Sequence, residues 1–177
     1  RDFTRLHRRG AVHIMTDAAG SVTRENAREL GMTLLDSYII AGQKSLPETI
    51  FSPKELYDTM LKGTRVSTSQ ASVFERHEYY RRVVNQFDHV LYLCVGSVFT
   101  GNYDVAVEWK AENDPDNRLT IIDTGAASGR LGAIALASLA GLLARSNPIY
   151  QLARSFVRSG AIRDVSSMRA QYHRKTS

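Results

Sequence analysis

The sequence predicts an α/β domain, a parallel sheet with helices on both faces. Two observations carry that prediction. Short β-branched or apolar runs alternate with segments of helical spacing along most of the chain, and alternation of this kind builds a parallel sheet with right-handed helical crossovers. Helix-start signals also fall between the runs, at Ser52-Pro53-Lys54-Glu55 and at Ser72 with Glu75.

Residues 11–16 are an apolar run that ends in Thr16-Asp17-Ala18-Ala19-Gly20, which reads as a buried strand and a turn. Residues 23–30 read as a helix closed by Gly31, and residues 32–40 as a second strand. Ser52 can then cap a helix while Glu55 reaches back to it, and Pro53 takes the first helical position. Leu56, Tyr57, Met60 and Leu61 share one face of that helix, and Gly63 ends it. Ser72 and Glu75 open another helix, in which Val73, His77, Tyr80, Val84 and Phe87 recur at helical spacing. That spacing places His77 on or beside a packed face and gives it no catalytic part. Residues 89–95 read as a buried strand, 96–101 as a loop, 102–111 as a helix and 113–117 as a turn. Residues 119–122 form a strand that stops at Asp123. Residues 128–144 form a helix that is apolar nearly all round, which predicts deep burial.

At 177 residues the chain can hold one domain with a real core. Residues 1–10 read as a basic leader or linker and 11–146 as the α/β domain. Residues 147–177 read as a basic segment with an amphipathic helix, either a linker or the start of a truncated second domain. Its stripe is Ile149, Leu152, Ala153, Phe156 and Val157, with Arg154 and Arg158 opposite. The chain starts at Arg1 and not at Met, so a fragment or a trimmed chain is expected.

Lys and Arg number 23 against 18 Asp and Glu, and the net charge is +5. The excess sits at the two ends, which reads as solvated termini. No aromatic-interleaved basic patch is present, so no nucleic-acid binding is expected. Cys94 is the only cysteine, which excludes an intrachain disulfide and a cysteine zinc site. The N-terminus carries no signal-peptide pattern. The longest apolar stretch, 131–144, is too short for a membrane span and is flanked by Arg130 and Arg145. A cytoplasmic protein without a membrane span is expected.

In open α/β sheets ligands bind outside the carboxyl ends of the strands. Four loops meet or approach that condition: 17–21, 65–72, 96–101 and 123–128. They offer Ser21, Ser67, Thr68, Ser69, Ser72, Ser97, Thr100, Thr124 and Ser128, with few charges beyond Asp17, Arg65 and Asp123. Hydroxyls donate to an anion without carrying charge, and free N–H groups at a helix start favour one. The set suits a carboxylate or a phosphate. Taken singly, each hydroxyl also reads as a helix cap, Ser72 above all. Phosphate-loop, dinucleotide and nucleophile-elbow motifs are absent. The histidines show no metal-ligand spacing, so neither a metal nor a cofactor is expected. Two other readings stay open. One is a phosphoryl-transfer or hydrolytic enzyme using Asp17 or Asp123, although Ala19 stands where a second carboxylate would sit. The other is a regulatory domain acting through the basic C-terminal helix.

Four segments, in order, resemble the DegV family of bacterial fatty-acid-binding proteins. Thr16-Asp17-Ala18-Ala19 resembles the family's Thr-Asp-Ser strand end, and Val66-Ser67-Thr68-Ser69-Gln70-Ala71-Ser72 its Pro-Thr-Thr-Ser-Gln-Pro-Ser loop. Gly96-Ser97-Val98-Phe99-Thr100-Gly101-Asn102-Tyr103 resembles its Ser-Ser-x-x-Ser-Gly-Thr-Tyr loop. Ile122-Asp123-Thr124-Gly125-Ala126-Ala127-Ser128 resembles its Ile-Asp-Ser-x-Ser-Ala-Ser segment. The resemblance implies a binding protein and not an enzyme. Its ligand would be a long-chain fatty acid in a tunnel between two domains, presented by its carboxylate to a fatty-acid kinase, separate or fused. It implies that Thr68 and Ser97 hold the carboxylate, with Ser67, Ser69, Thr100 and Gly101 nearby. By loop position, Phe99 and Leu131 are candidates to meet the acyl chain. The sequence departs from the family at Ala18, Ala71, Gly96, Asn102 and Ala126, and the second domain is not recognisable after Ser146.

Overall fold

A computed structural model describes residues 12–146 of the chain. Strand β1 (Val12–Asp17) lies inside the main sheet, and its last residues, Ile14 to Asp17, are all buried. It pairs in parallel with β2 (Thr33–Leu35) on one side and β6 (His89–Cys94) on the other. Strand β7 (Leu119–Asp123) adds to β6, also in parallel, and the order is β2-β1-β6-β7. Helix α1 (Arg24–Leu30) connects β1 to β2, and α4 (Asn102–Asn113) connects β6 to β7. Helix α3 (Val73–Gln86) leads into β6 and α5 (Ser128–Ser146) follows β7. The α/β class with a parallel sheet is therefore the one the alternation predicts. Met15, Tyr80, Tyr92, Trp109, Leu119 and Leu131 belong to one buried core.

A second sheet was not foreseen. Strands β3 (Ser37–Ala41), β4 (Lys44–Pro47) and β5 (Val66–Gln70) are antiparallel, in the order β4-β3-β5. The single strand expected over 32–40 is instead two strands in different sheets, divided at Asp36. That carboxylate accepts hydrogen bonds from the Thr49 N–H and hydroxyl, both at 3.0 Å, and pairs with Arg24 at 2.9 Å. The loop expected over 65–72 is largely the edge strand β5. Its residues Ser67 to Gln70 are exposed, so no buried face imposes the alternation by which strands are recognised.

Helix α2 (Pro53–Leu61) starts where its signals say, with the Glu55 N–H donating to the Ser52 hydroxyl at 3.5 Å. The Glu55 side chain does not return to the cap; Lys44 donates to it at 2.5 Å. Tyr57, Met60 and Leu61, from the expected face, are exposed. In α3 the capping box between Ser72 and Glu75 is complete. Its buried face is Arg76, Tyr80, Val83 and Val84, while Val73 is exposed. The packed stripe thus runs beside the one inferred from apolar residues alone.

Deep burial of the last helix is also corrected. Leu131, Gly132 and Ala135 of α5 are buried, whereas Leu136 is 45% exposed. Gly132 has a steric reason. A Cβ there would stand 2.2 Å from the Gly20 carbonyl oxygen, so only glycine lets α5 lie on the 3-10 turn Ala18–Gly20.

The chain divides into two compact units, Arg1–Ala140 and Gly141–Ser177. The leader at 1–10, Ala11 and the amphipathic segment 147–177 lie outside the described residues. Among the described residues, no helix is long and apolar enough to cross a membrane.

Candidate functional site

The connection from β1 leaves toward β2 and that from β6 leaves toward β7, so the strand order reverses between β1 and β6. A crevice is expected at the carboxyl ends of those two strands. Here it is filled by the protein's own side chains. Asp17, at the end of β1, is fully buried. The Tyr92 hydroxyl reaches its two oxygens at 3.0 and 2.9 Å, and the Val95 N–H donates at 2.8 Å. Asn102 Nδ2 donates at 3.0 Å and Arg76 at 3.3 Å. A carboxylate with so many donors and no exposure is a structural tie, so Asp17 does not serve as the acid or base of a phosphoryl-transfer or hydrolytic site. Asn102, a departure from the family pattern, has its amide employed in this tie. Burial raises the pKa of Tyr92 and of Cys94, which keeps both protonated.

The neighbouring loops are exposed and knit together. Gly96 N–H donates to the Ala126 carbonyl at 2.9 Å. A Cβ on Gly96 would lie 2.8 Å from Gly125 backbone atoms, which explains glycine where the family motif has serine. Ser97 then meets Asp123, the last residue of β7. Its N–H donates to Oδ1 at 3.0 Å and its hydroxyl to Oδ2 at 2.5 Å. Gly125 N–H adds a bond to Oδ1 at 3.1 Å. The Ser97 hydroxyl, then the N–H groups of Ser97 and Gly125, hold Asp123 below the usual aspartate range. Ser21 and Ser128 hydroxyls stand 3.4 Å apart, joining the loop after β1 to the start of α5. Both residues have left-handed backbones, at φ 57° and 53°. Thr124 donates to the Cys94 carbonyl at 2.7 Å and braces the turn.

The other expected residues divide. The Thr100 hydroxyl accepts from the Asn102 N–H at 3.3 Å, and Gly101 is the N-cap residue of α4. Ser67, Thr68 and Ser69 lie on β5, opposite Ile40, Ile39 and Tyr38. Strand alternation sends Thr68 to one face and Ser67 and Ser69 to the other, so the three hydroxyls do not line one surface. Among the described residues no hydrogen bond joins these hydroxyls to the loops after β1, β6 and β7. Phe99 is 61% exposed, whereas Leu131 is wholly buried in the core. Exposed apolar residues that the sequence did not single out include Phe74 and Val98. A hollow of about 320 Å³ runs along Arg24, Arg28, Met32, Asp36, Tyr79 and Arg82 and includes none of the expected site residues.

These features define a parallel α/β domain whose exposed strand-end loops carry hydroxyls and N–H groups that converge on an exposed carboxylate side chain. A family profile described as "Uncharacterised protein, DegV family" matches residues 11–151, and the chain belongs to that family. A DegV domain-containing protein of Clostridium perfringens is 30% identical over 120 residues, 64% of this chain and 41% of the relative. A DegV family protein from Thermus thermophilus, described for its fatty acid binding, superposes with a TM-score of 0.66 at 24% identity, over 84% of this chain and 52% of that one. A stearic acid-binding protein from Eubacterium ventriosum gives a TM-score of 0.67 at 20% identity, over 83% and 52%. The chain thus spans about half the length of these relatives.

Proposed function

We propose that this chain supplies one part of a long-chain fatty-acid site and acts as a cytoplasmic binding protein, not as an enzyme by itself. The observation that carries the reading is the exposed Ser97, which follows the carboxyl end of β6 and resembles in sequence a serine of the family's loop, with exposed Val98 and Phe99 beside it. Polar donors next to exposed apolar side chains are what an amphiphile with a small head group requires. The fatty acids bound by the Thermus and Eubacterium proteins support the ligand class. Ser97 and Thr68 would contact the head group, with Thr100 and the Gly101 region at its side. Each buried methylene contributes about 0.8 kcal/mol, so the tail dominates retention and the head group sets orientation. A fatty-acid kinase, separate or fused, would then receive the presented head group.

Denaturing the purified chain, extracting with organic solvent and weighing the extract by mass spectrometry should release a long-chain acid at close to one per chain. Thr68→Ala should keep the lipid and slow phosphorylation by a partner kinase. Full phosphorylation of the Thr68→Ala protein would remove Thr68 from the site.

A further inference from the structure

The hydroxyl of Ser97 has one proton, and Asp123 already holds it at 2.5 Å. A fatty-acid carboxylate brought to Ser97 therefore meets a second carboxylate across a single hydroxyl. Two ionised carboxylates that share one donor repel each other, and such a pair holds a proton that neither group holds alone. We infer that the site takes up one proton together with each fatty acid, and that Asp123 is the positioning residue that imposes it. This rests on the placement of the head group at Ser97 given above.

Among the described residues, no cationic side chain pairs with Asp123. On β6, the residue in register with it is Cys94, which is buried and protonated. The loop after β6 contributes Ser97, and the loop after β7 contributes the Gly125 N–H. Arg130, in the first turn of α5, is exposed and makes no ion pair with Asp123. Asp17, at the end of β1, has its charge met by Arg76 within the core. Among the described residues Asp123 forms no salt bridge, so its neighbours are hydrogen-bond donors, and an arriving anion would compete for them.

Asparagine at 123 would keep an oxygen for the N–H groups of Ser97 and Gly125. Its amide would donate to the Ser97 oxygen and free the serine proton for the ligand. The proton linkage would vanish while the loop remained.

The test is to titrate the full chain, stripped of lipid, with decanoate and with decanol between about pH 6 and 8, where free alkyl carboxylates and an unperturbed aspartate are both ionised. Uptake of one proton means that decanoate affinity falls about tenfold per pH unit. Decanol affinity should stay flat, because its head group carries no charge. D123N should bind decanoate with a flat profile and more tightly than the parent at the upper end of the range. Saturable decanoate binding with a flat profile in the parent chain would overturn the inference and leave the head-group site standing. A slope that persists in D123N would also overturn it, since the proton would then belong to another group. Failure of both decanoate and decanol to bind would overturn the site itself. The parent's slope decides the matter even when D123N does not fold.

Discussion

Asp17 and Asp123 each end a strand of the same parallel sheet, and each accepts several hydrogen bonds, yet they do opposite work. Asp17 is sealed in the core with Arg76, Tyr92, Asn102 and the Val95 N–H around it. Asp123 is exposed and, among the described residues, holds only Ser97 and Gly125. The difference lies in where the donors come from. Those of Asp17 include side chains of α3 and α4 that close over β1, whereas those of Asp123 come from its own loop and from the loop after β6. A carboxylate enclosed by helices is part of the fold. One held by loops stays exposed to solvent.

The contrast can be broken at several points, and the largest effect belongs to the buried carboxylate. Asp17→Ala strands the Arg76 guanidinium in the core, and removing one partner of a buried pair costs about 3–5 kcal/mol. Urea unfolding should show that loss or no folded protein at all; a variant as stable as the parent would mean that the tie is not structural. Next comes the close approach beneath Ser97. Gly96→Ala forces a Cβ toward the Gly125 backbone, and overpacking of this kind costs about 1–3 kcal/mol. It should also lower fatty-acid affinity, because the loop that presents Ser97 must move. Tyr92→Phe removes the hydroxyl shared by both Asp17 oxygens and should lower stability by about 1–2 kcal/mol by the same denaturation assay.

The smallest effect on stability belongs to the exposed carboxylate. Asp123→Asn should leave the unfolding midpoint near neutral pH little changed. Asp123 is held below its usual range by Ser97 and Gly125, so its folded value lies under its unfolded one. What stability it contributes is present above the ordinary aspartate value and is lost as pH falls through the lowered folded value. Any gap between parent and Asp123→Asn in thermal midpoint should therefore close in acid; a gap that widens there would contradict this assignment.

Much of this arrangement was legible from residues. The run 89–95 is apolar because β6 is largely buried, and Ser72 with Glu75 marked the start of α3 to the residue. The antiparallel sheet was hidden. Residues 32–40 read as one strand because β2 and β3 abut with only Asp36 between them. Strand β5, with the sequence VSTSQ, has no buried face to imprint a period. The candidate site was half legible. Resemblance and loop position pointed to Ser97, and its partner Asp123 was in view only as a possible catalytic acid. The reassignment of Asp17 was out of reach, because its ties to Arg76 and Asn102 span 59 and 85 residues. Local composition carries no trace of such distances. One signal was available: moving the α3 stripe by a residue puts Arg76 in line with Tyr80, Val83 and Val84.

The most direct test of the reading is a titration of the lipid-stripped chain with a long-chain fatty acid, followed by the same titration of Ser97→Ala. The parent should bind saturably at one acid per chain, and Ser97→Ala should bind in the same ratio but more weakly, since the tail still gains burial without its head-group contact. No saturable binding by the parent chain, or identical affinity in the two proteins, would contradict a fatty-acid site built on Ser97.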